Sequence, residues 1–222
     1  MTHPPFLPLI SPCRTVIVAA GDFPLHETAL SMLQQAETLV CCDGAASNLL
    51  QYGMEPHQIV GDMDSLSPTL RQRFHERILH IPSQDCNDLA KALRFCIRNQ
   101  LKDICLLGIS GKREDHSLAN LSILLEYSLD ANIQAFTDYG VFNPIRQTTV
   151  FESVPQQQVS VFSFTPATLF TFHGLKYPVT DAPLVELWQG SLNEACGKEF
   201  TIQMSEGKAL VFRVFPSVKT TP

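Results

Sequence analysis

Thr15-Val16-Ile17-Val18-Ala19-Ala20, closed by Gly21-Asp22, decides the fold: a short, β-branched apolar run that stops in a glycine-acid turn. Five further runs of the same kind occupy 38–42, 59–60, 78–81, 104–107 and 133–137. Between them, 27–35, 45–51, 69–74, 88–97 and 118–127 carry a helical period. Short β-branched runs alternating with amphipathic helices are the signature of a parallel α/β sheet. After about Tyr139 the helical period disappears. β-rich pieces at 148–151, 158–164, 169–172, 200–204 and 209–215 follow, separated by turns at Pro166, Gly174, Pro178, Gly190 and Glu206-Gly207. The spacing predicts an α/β domain over residues 13–142 and an all-β domain over 143–217.

Composition narrows the function. With 222 residues, 45% hydrophobic and 17% charged, the chain reads as globular and can fill two modest cores. A net charge of -6 leaves no basic stripe for a nucleic acid. The seven cysteines are odd in number, lack a Cys-x-x-Cys pair and mostly sit in apolar segments, the pattern of reduced thiols in a cytoplasmic protein. The N-terminus has no basic region and is broken by Pro4, Pro5, Pro8 and Pro12, so it is a poor signal peptide. No apolar run reaches the length of a membrane span.

The chemistry is carried by the turns. In an open parallel sheet the loops after the strands line one edge, where ligands bind at the topological switch point. Here those loops are Gly21-Asp22, Asp43-Gly44, Gly61-Asp62-Met63-Asp64-Ser65, Ser83-Gln84-Asp85-Cys86-Asn87-Asp88 and Ser110-Gly111-Lys112-Arg113-Glu114-Asp115-His116. If the Gly61–Ser65 turn is extended, Asp62 and Asp64 project to the same side. Two carboxylates about 4 Å apart repel by roughly 4 kcal/mol at an effective dielectric near 20, which a divalent cation turns into attraction. All-oxygen ligands suit Mg²⁺. Asp62, Asp64 and Asp88 are thus candidate metal ligands, Lys112 and Arg113 candidate phosphate contacts, and glycines such as Gly21 let backbone amides approach a polyphosphate. Metal, cations and amide donors together are the equipment of phosphoryl transfer.

Plainer readings compete at individual positions. Asp-x-Asp also occurs in exposed turns. Asp88 can be a favourable carboxylate at a helix start, Asp115 an ion-pair partner of Arg113, and His116 a structural hydrogen-bonder. No Gly-x-x-x-x-Gly-Lys-Ser/Thr loop, Gly-x-Gly-x-x-Gly fingerprint or Gly-x-Ser-x-Gly elbow is present.

Cys42-Asp43-Gly44, Gly61-Asp62-Met63-Asp64-Ser65, Gln84-Asp85-Cys86-Asn87-Asp88-Leu89 and Gly111-Lys112-Arg113-Glu114-Asp115-His116, in that order, resemble the motifs of the thiamine pyrophosphokinase family. His173-Gly174-Leu175-Lys176-Tyr177-Pro178 and Gly190-Ser191-Leu192-Asn193-Glu194 are similar to its thiamine-binding β-domain. The resemblance implies a Rossmann-like α/β domain, a smaller C-terminal β-sandwich, and a homodimer with active sites between the α/β domain of one subunit and the β-domain of the other. It implies Mg²⁺-dependent transfer of pyrophosphate from ATP to the hydroxyl of thiamine, giving thiamine diphosphate and AMP. On that resemblance Asp62, Asp64 and Asp88 bind the metal, Asp43 and Asp115 complete the acidic site, Arg113 contacts ATP, and Gln84 and Asn193 face thiamine. Tyr177 stands where the family usually has Trp, Asn87 where it has Thr, and Gly190-Ser191-Leu192-Asn193 where it has Ser-x-Ser-Asn. These departures keep two other readings in view: a pyrophosphokinase acting on a different alcohol, and a non-catalytic sensor of thiamine or a nucleotide.

Overall fold

The computed structural model describes residues 3–216; residue 217, the last of the predicted β-domain, lies outside the described residues. The chain forms two compact units, Pro12–Asp138 and residues 3–11 with 139–216. A short strand β1 (Phe6–Leu7) opens it. The first unit then runs β2 (Thr15–Val18), α1 (Glu27–Gln35), β3 (Thr38–Cys42), α2 (Ala45–Gln51), β4 (Gln58–Gly61), α3 (Pro68–Arg73), β5 (Ile78–His80), α4 (Asp88–Arg98), β6 (Asp103–Leu107), α5 (Glu114–Tyr127) and β7 (Asn132–Phe136).

Its strands are all parallel, in the order β7-β6-β2-β3-β4-β5. The chain steps outward from β2 to β5 and then returns to add β6 on the other side of β2. That reversal places the switch point between β2 and β6. β2 is buried at all four positions, as expected of a strand covered on both faces. In α4, Leu89, Ala92, Leu93 and Cys96 recur at helical spacing and are buried, and Asn87 caps the helix by accepting from Ala90 N at 3.0 Å. The first turn of α5 begins at Glu114, four residues before the predicted start. Glu114-Asp115-His116-Ser117 carries no apolar period, but its two acids suit the positive end of a helix.

The second unit contains β8 (Gly140–Ile145), β9 (Thr149–Glu152), β10 (Gln158–Ser163), β11 (Leu169–His173), β12 (Ala182–Pro183), β13 (Asn193–Glu194), β14 (Glu199–Met204) and β15 (Ala209–Val214). One layer is β1-β9-β14-β11-β12 and the other β13-β10-β15-β8. Strands such as β10 and β14 alternate buried and solvent-facing positions. Phe151, Phe170 and Phe200 from the first layer meet Val161 and Val211 from the second in one core, with the Phe151 and Phe200 rings stacked at 5.0 Å. The predicted pairing of an α/β, Rossmann-like parallel sheet with a smaller β-sandwich is the architecture found. β8 falls in a stretch to which the sequence reading assigned no strand; Asn143 and Pro144 interrupt its apolar pattern, yet Pro144 sits opposite Leu210 in the ladder. No helix among the described residues is long and apolar enough to cross a membrane.

Candidate active site

Asp43 follows β3 in a left-handed conformation (φ 39°) that a non-glycine residue adopts only when its surroundings enforce it. Three bonds do so. Asp43 N donates to Val60 O at 3.0 Å, Ala46 N to Asp43 O at 3.3 Å, and Ser65 N to Asp43 Oδ2 at 2.9 Å. The other carboxylate oxygen, Oδ1, is buried and has no hydrogen-bond partner among the described residues. Burial pushes the Asp43 carboxyl above the ordinary range; the charges of Asp88 and Asp62 add to this, and the Ser65 N–H works against it.

Asp43, Asp62 and Asp88 each offer a carboxylate oxygen, all within 4.8 Å of one another. Gly61 makes this convergence possible: a Cβ there would lie 3.0 Å from both Asp43 Cβ and Asp88 Cγ. Asp62 Oδ2 accepts from Gln84 Nε2 at 2.9 Å and Oδ1 from Asp64 N at 3.1 Å, and these bonds, Gln84 first, hold its carboxyl below the ordinary range.

The Gly61–Ser65 turn, which would aim Asp62 and Asp64 alike if extended, takes another course. The turn is not extended: Met63 is buried and left-handed (φ 68°), and the Asp64 N–H folds back onto Asp62. Asp64 is exposed and its carboxylate stands outside the group formed by Asp43, Asp62 and Asp88. Gln84, expected to face thiamine, is a partner of Asp62.

Lys91 completes the cluster. One turn along α4 from Asp88 and only 3% exposed, its Nζ lies 2.9 Å from Asp88 Oδ1 and 3.8 Å from Asp62 Oδ2. Burial alone would lower its pKa, but the hydrogen bond and the two carboxylate charges outweigh this and leave it raised.

Beside the cluster, at the switch point, lies a cavity of about 350 Å³ lined by Ala19, Gly21, Asp88, Gly111, Lys112 and Arg113 among others. The loops after β2 and β6 touch here: Gly21 N donates to Gly108 O at 2.8 Å, and a Cβ on Gly21 would meet Ser110 O at 2.3 Å. Lys112 Nζ donates to Ala20 O at 2.6 Å. Arg113 forks onto Asp115, with Nε to Oδ1 at 3.1 Å and Nη2 to Oδ2 at 2.5 Å. Each holds the other in its charged form, so Asp115 serves Arg113 and stands outside the acidic cluster. Asn120, buried on α5, donates to Ile109 O at 2.9 Å and accepts from Asn87 Nδ2 at 3.1 Å. Asn87 thereby caps α4 with one amide atom and ties it to α5 with the other, a second bond that the hydroxyl of Thr is too short to copy.

In the β unit Tyr177 exposes its ring, whereas Asn193 is buried. Asn193 Oδ1 accepts from Tyr177 N at 3.0 Å and Glu194 N at 2.8 Å, and Nδ2 donates to Tyr177 O at 2.7 Å. Three of the amide's four bonding positions are thus used on backbone. Asn193, expected to face thiamine, fixes the backbone of Tyr177. Lys176 stands 5.8 Å from that ring and pairs with Glu194 at 3.3 Å.

Two family models match the chain: the thiamin pyrophosphokinase catalytic domain over residues 29–137 and the thiamin pyrophosphokinase substrate-binding domain over 140–212. The chain belongs to the thiamin pyrophosphokinase family. Thiamine pyrophosphokinase 1 of Oryza sativa subsp. japonica is 28% identical over 166 residues, 63% of this chain and 62% of that protein. The thiamine pyrophosphokinase of Bacillus subtilis is 30% identical over 112 residues, 49% of this chain and 52% of its own. The chain thus spans about three fifths and about half of the lengths of these relatives. Among solved structures, the thiamin pyrophosphokinase from Candida albicans superposes with a TM-score of 0.81 at 16% identity, covering 95% of this chain and 93% of that one. That from Geobacillus thermodenitrificans gives 0.76 at 25% identity, covering 92% and 98%.

The thiamin pyrophosphokinase motifs contain the carboxylates but not what packs around them. Lys91 and Asn120 were passed over. An acid three residues before a lysine on a helix is a recognisable pair, yet without a fold it reads as a solvated one.

Proposed function

We propose that this chain is a thiamine pyrophosphokinase, transferring the β,γ-pyrophosphoryl group of ATP to the hydroxyl of thiamine to give thiamine diphosphate and AMP. The observation that carries the reading is the unpartnered, buried Asp43 Oδ1 within a group of three carboxylates beside the switch-point cavity. A buried carboxylate oxygen without a donor is costly unless a cation meets it. The all-oxygen donor set of Asp43, Asp62 and Asp88 fits Mg²⁺. When bound, Mg²⁺ would offset charge on the transferring group.

The chain's own groups do the rest. Lys112 and the Arg113 fork would meet phosphate oxygens, the amides of the loops after β2 and β6 would approach the polyphosphate at Gly21 and Gly111, and Tyr177 would offer its face to a thiamine ring. The family frame adds a cytoplasmic homodimer that pairs the α/β domain of one protomer with the β-domain of the other. The deciding experiment follows AMP and thiamine diphosphate from ATP and Mg²⁺ with and without thiamine. Stoichiometric, thiamine-dependent release of both is expected; thiamine binding with neither product would replace the enzyme by a sensor.

Two substitutions test the geometry. Gly61→Ala is expected to lower turnover about 100-fold with unchanged circular dichroism, because the new methyl separates Asp43 from Asp88; a loss below about threefold would mean that these side chains give way freely. Asn193→Ala frees Tyr177. We expect the KM for thiamine to rise about tenfold, roughly 1.4 kcal/mol, with kcat within about threefold, and a KM unchanged from the parent would remove Asn193 from thiamine recognition.

A further inference from the structure

The ammonium of Lys91 occupies the place of a cation. Its stem is buried along α4, and its Nζ reaches Asp88 at 2.9 Å and Asp62 at 3.8 Å. These are two of the three carboxylates assigned above to the divalent ion. Asp43 Oδ1, the third, has no donor among the described residues. The cluster therefore carries three negative charges and one tethered positive charge, shared unevenly: Asp88 and Asp62 are met and Asp43 is not. A divalent ion entering at Asp43 must also compete with the ammonium for Asp88 and Asp62, or sit beside it and be repelled. Lysine suits this task, because its ammonium is a compact point charge on a flexible four-carbon stem that can change partners. Asp88 also lines the cavity assigned above to the polyphosphate, so oxygens arriving there reach the neighbourhood of the Asp88–Lys91 bond.

We propose that Lys91 is a positioning residue, a tethered counter-ion that keeps the affinity of Asp43, Asp62 and Asp88 for a free divalent cation low and yields those carboxylates when polyphosphate oxygens accept its ammonium. Metal and nucleoside triphosphate then load cooperatively. Lys91 also holds the carboxylates together before loading, so the cluster is preformed and not assembled by the ion. The inference rests on the pyrophosphokinase reading for the identity of the anion; its test does not need turnover.

The test is binding of Mn²⁺, followed by the electron paramagnetic resonance of the free ion, to the full chain and to Lys91→Met, which keeps the length of the stem without its charge. Without nucleotide, Lys91→Met should bind Mn²⁺ at least tenfold more tightly than the parent. With saturating α,β-methylene ATP, which cannot be cleaved at the transferring bond, the parent should gain at least tenfold and the difference between the two should shrink to within about threefold. Lys91→Gln, whose amide can still donate to Asp88, should fall between them without nucleotide and guards against a misfolded methionine variant. Equal or weaker Mn²⁺ binding by both variants without nucleotide overturns the proposal. Absence of Mn²⁺ binding by parent and variants alike overturns it together with the metal assignment. The expected affinity pattern in a chain that forms no thiamine diphosphate would support the role of Lys91 and overturn the pyrophosphokinase reading alone.

Discussion

Asp43→Asn is expected to abolish turnover while making the metal-free protein more stable. The substitution keeps the shape of the side chain, and its amide oxygen can still accept from Ser65 N, which bonds Asp43 Oδ2 at 2.9 Å. What changes is the atom in the place of Oδ1. A buried acceptor without a partner becomes an N–H₂ donor on a side chain whose carboxylate stands within 4.8 Å of those of Asp62 and Asp88. A cation would lose a ligand and meet a donor, so we expect turnover to fall about 10³-fold, roughly 4 kcal/mol in the transition state. Stability should move the other way. A carboxyl with a raised folded pKa contributes stability below its unfolded value and loses that contribution as pH rises through the folded value, so at neutral pH ionised Asp43 detracts from the metal-free fold. Removing it should raise stability by about 1 kcal/mol, a Tm increase of about 2–4 °C in EDTA, and should flatten the decline of metal-free stability as pH rises above the usual carboxylate range. Asp62, with its lowered carboxyl, acts in the opposite sense and is lost only as pH falls. Steady-state kinetics with melting in EDTA decides the matter. A variant with turnover within tenfold of the parent, or a lower metal-free Tm, would sink the assignment of Asp43.

How far the sequence carried this conclusion depends on which physical signal each residue sends. The six parallel strands were legible because their β-branched runs are short and bounded by polar turns, and the edge on which those turns gather follows from parallel topology without any side-chain detail. Asp62, Asp64 and Asp88 were named on that basis, and Asp43 on the resemblance to the family's motifs. The course of the Gly61–Ser65 turn was not legible because it depends on the backbone of Met63, and a left-handed methionine leaves no mark in the sequence as a glycine or asparagine would. The bonds of Asn193 were not legible because a motif gives the residue type but not the direction of its amide, which here bonds the backbone of Tyr177. Lys91 was invisible for the opposite reason: nothing local distinguishes a lysine on the solvated face of a helix from one drawn inward by two carboxylates, and only packing decides. The same holds for β1, a two-residue strand in a proline-rich segment whose partner, β9, lies far along the chain.

What ties β1 down yields the second large prediction. Arg213 on β15 is fully buried, with its guanidinium 5.1 Å from the Phe151 ring. It donates to the carbonyls of Leu7 at 3.3 Å, Pro8 at 2.9 Å and Glu152 at 3.0 Å, and to Asn143 Oδ1 at 2.9 Å. Burial pulls its pKa down to about 10, so it stays charged at neutral pH. Arg213→Ala removes four charge-assisted bonds worth about 1.5–3 kcal/mol each and regains the several kcal/mol that burying the charge had cost. The balance should be a loss of about 3 kcal/mol, since the buried Asn143 Oδ1 and the partly buried carbonyls left behind need a donor. Arg213→Lys should recover little, because one ammonium cannot span acceptors arranged for a planar fork. The damage should be local first: the Leu9 N–H, which bonds Glu152 Oε2 at 2.8 Å, sits next to Pro8 and should exchange with solvent much faster in either variant. Urea denaturation reads the stability and hydrogen exchange reads the segment. A loss below about 1 kcal/mol with Leu9 still protected would mean that β1 is held by its ladder with β9 and not by Arg213.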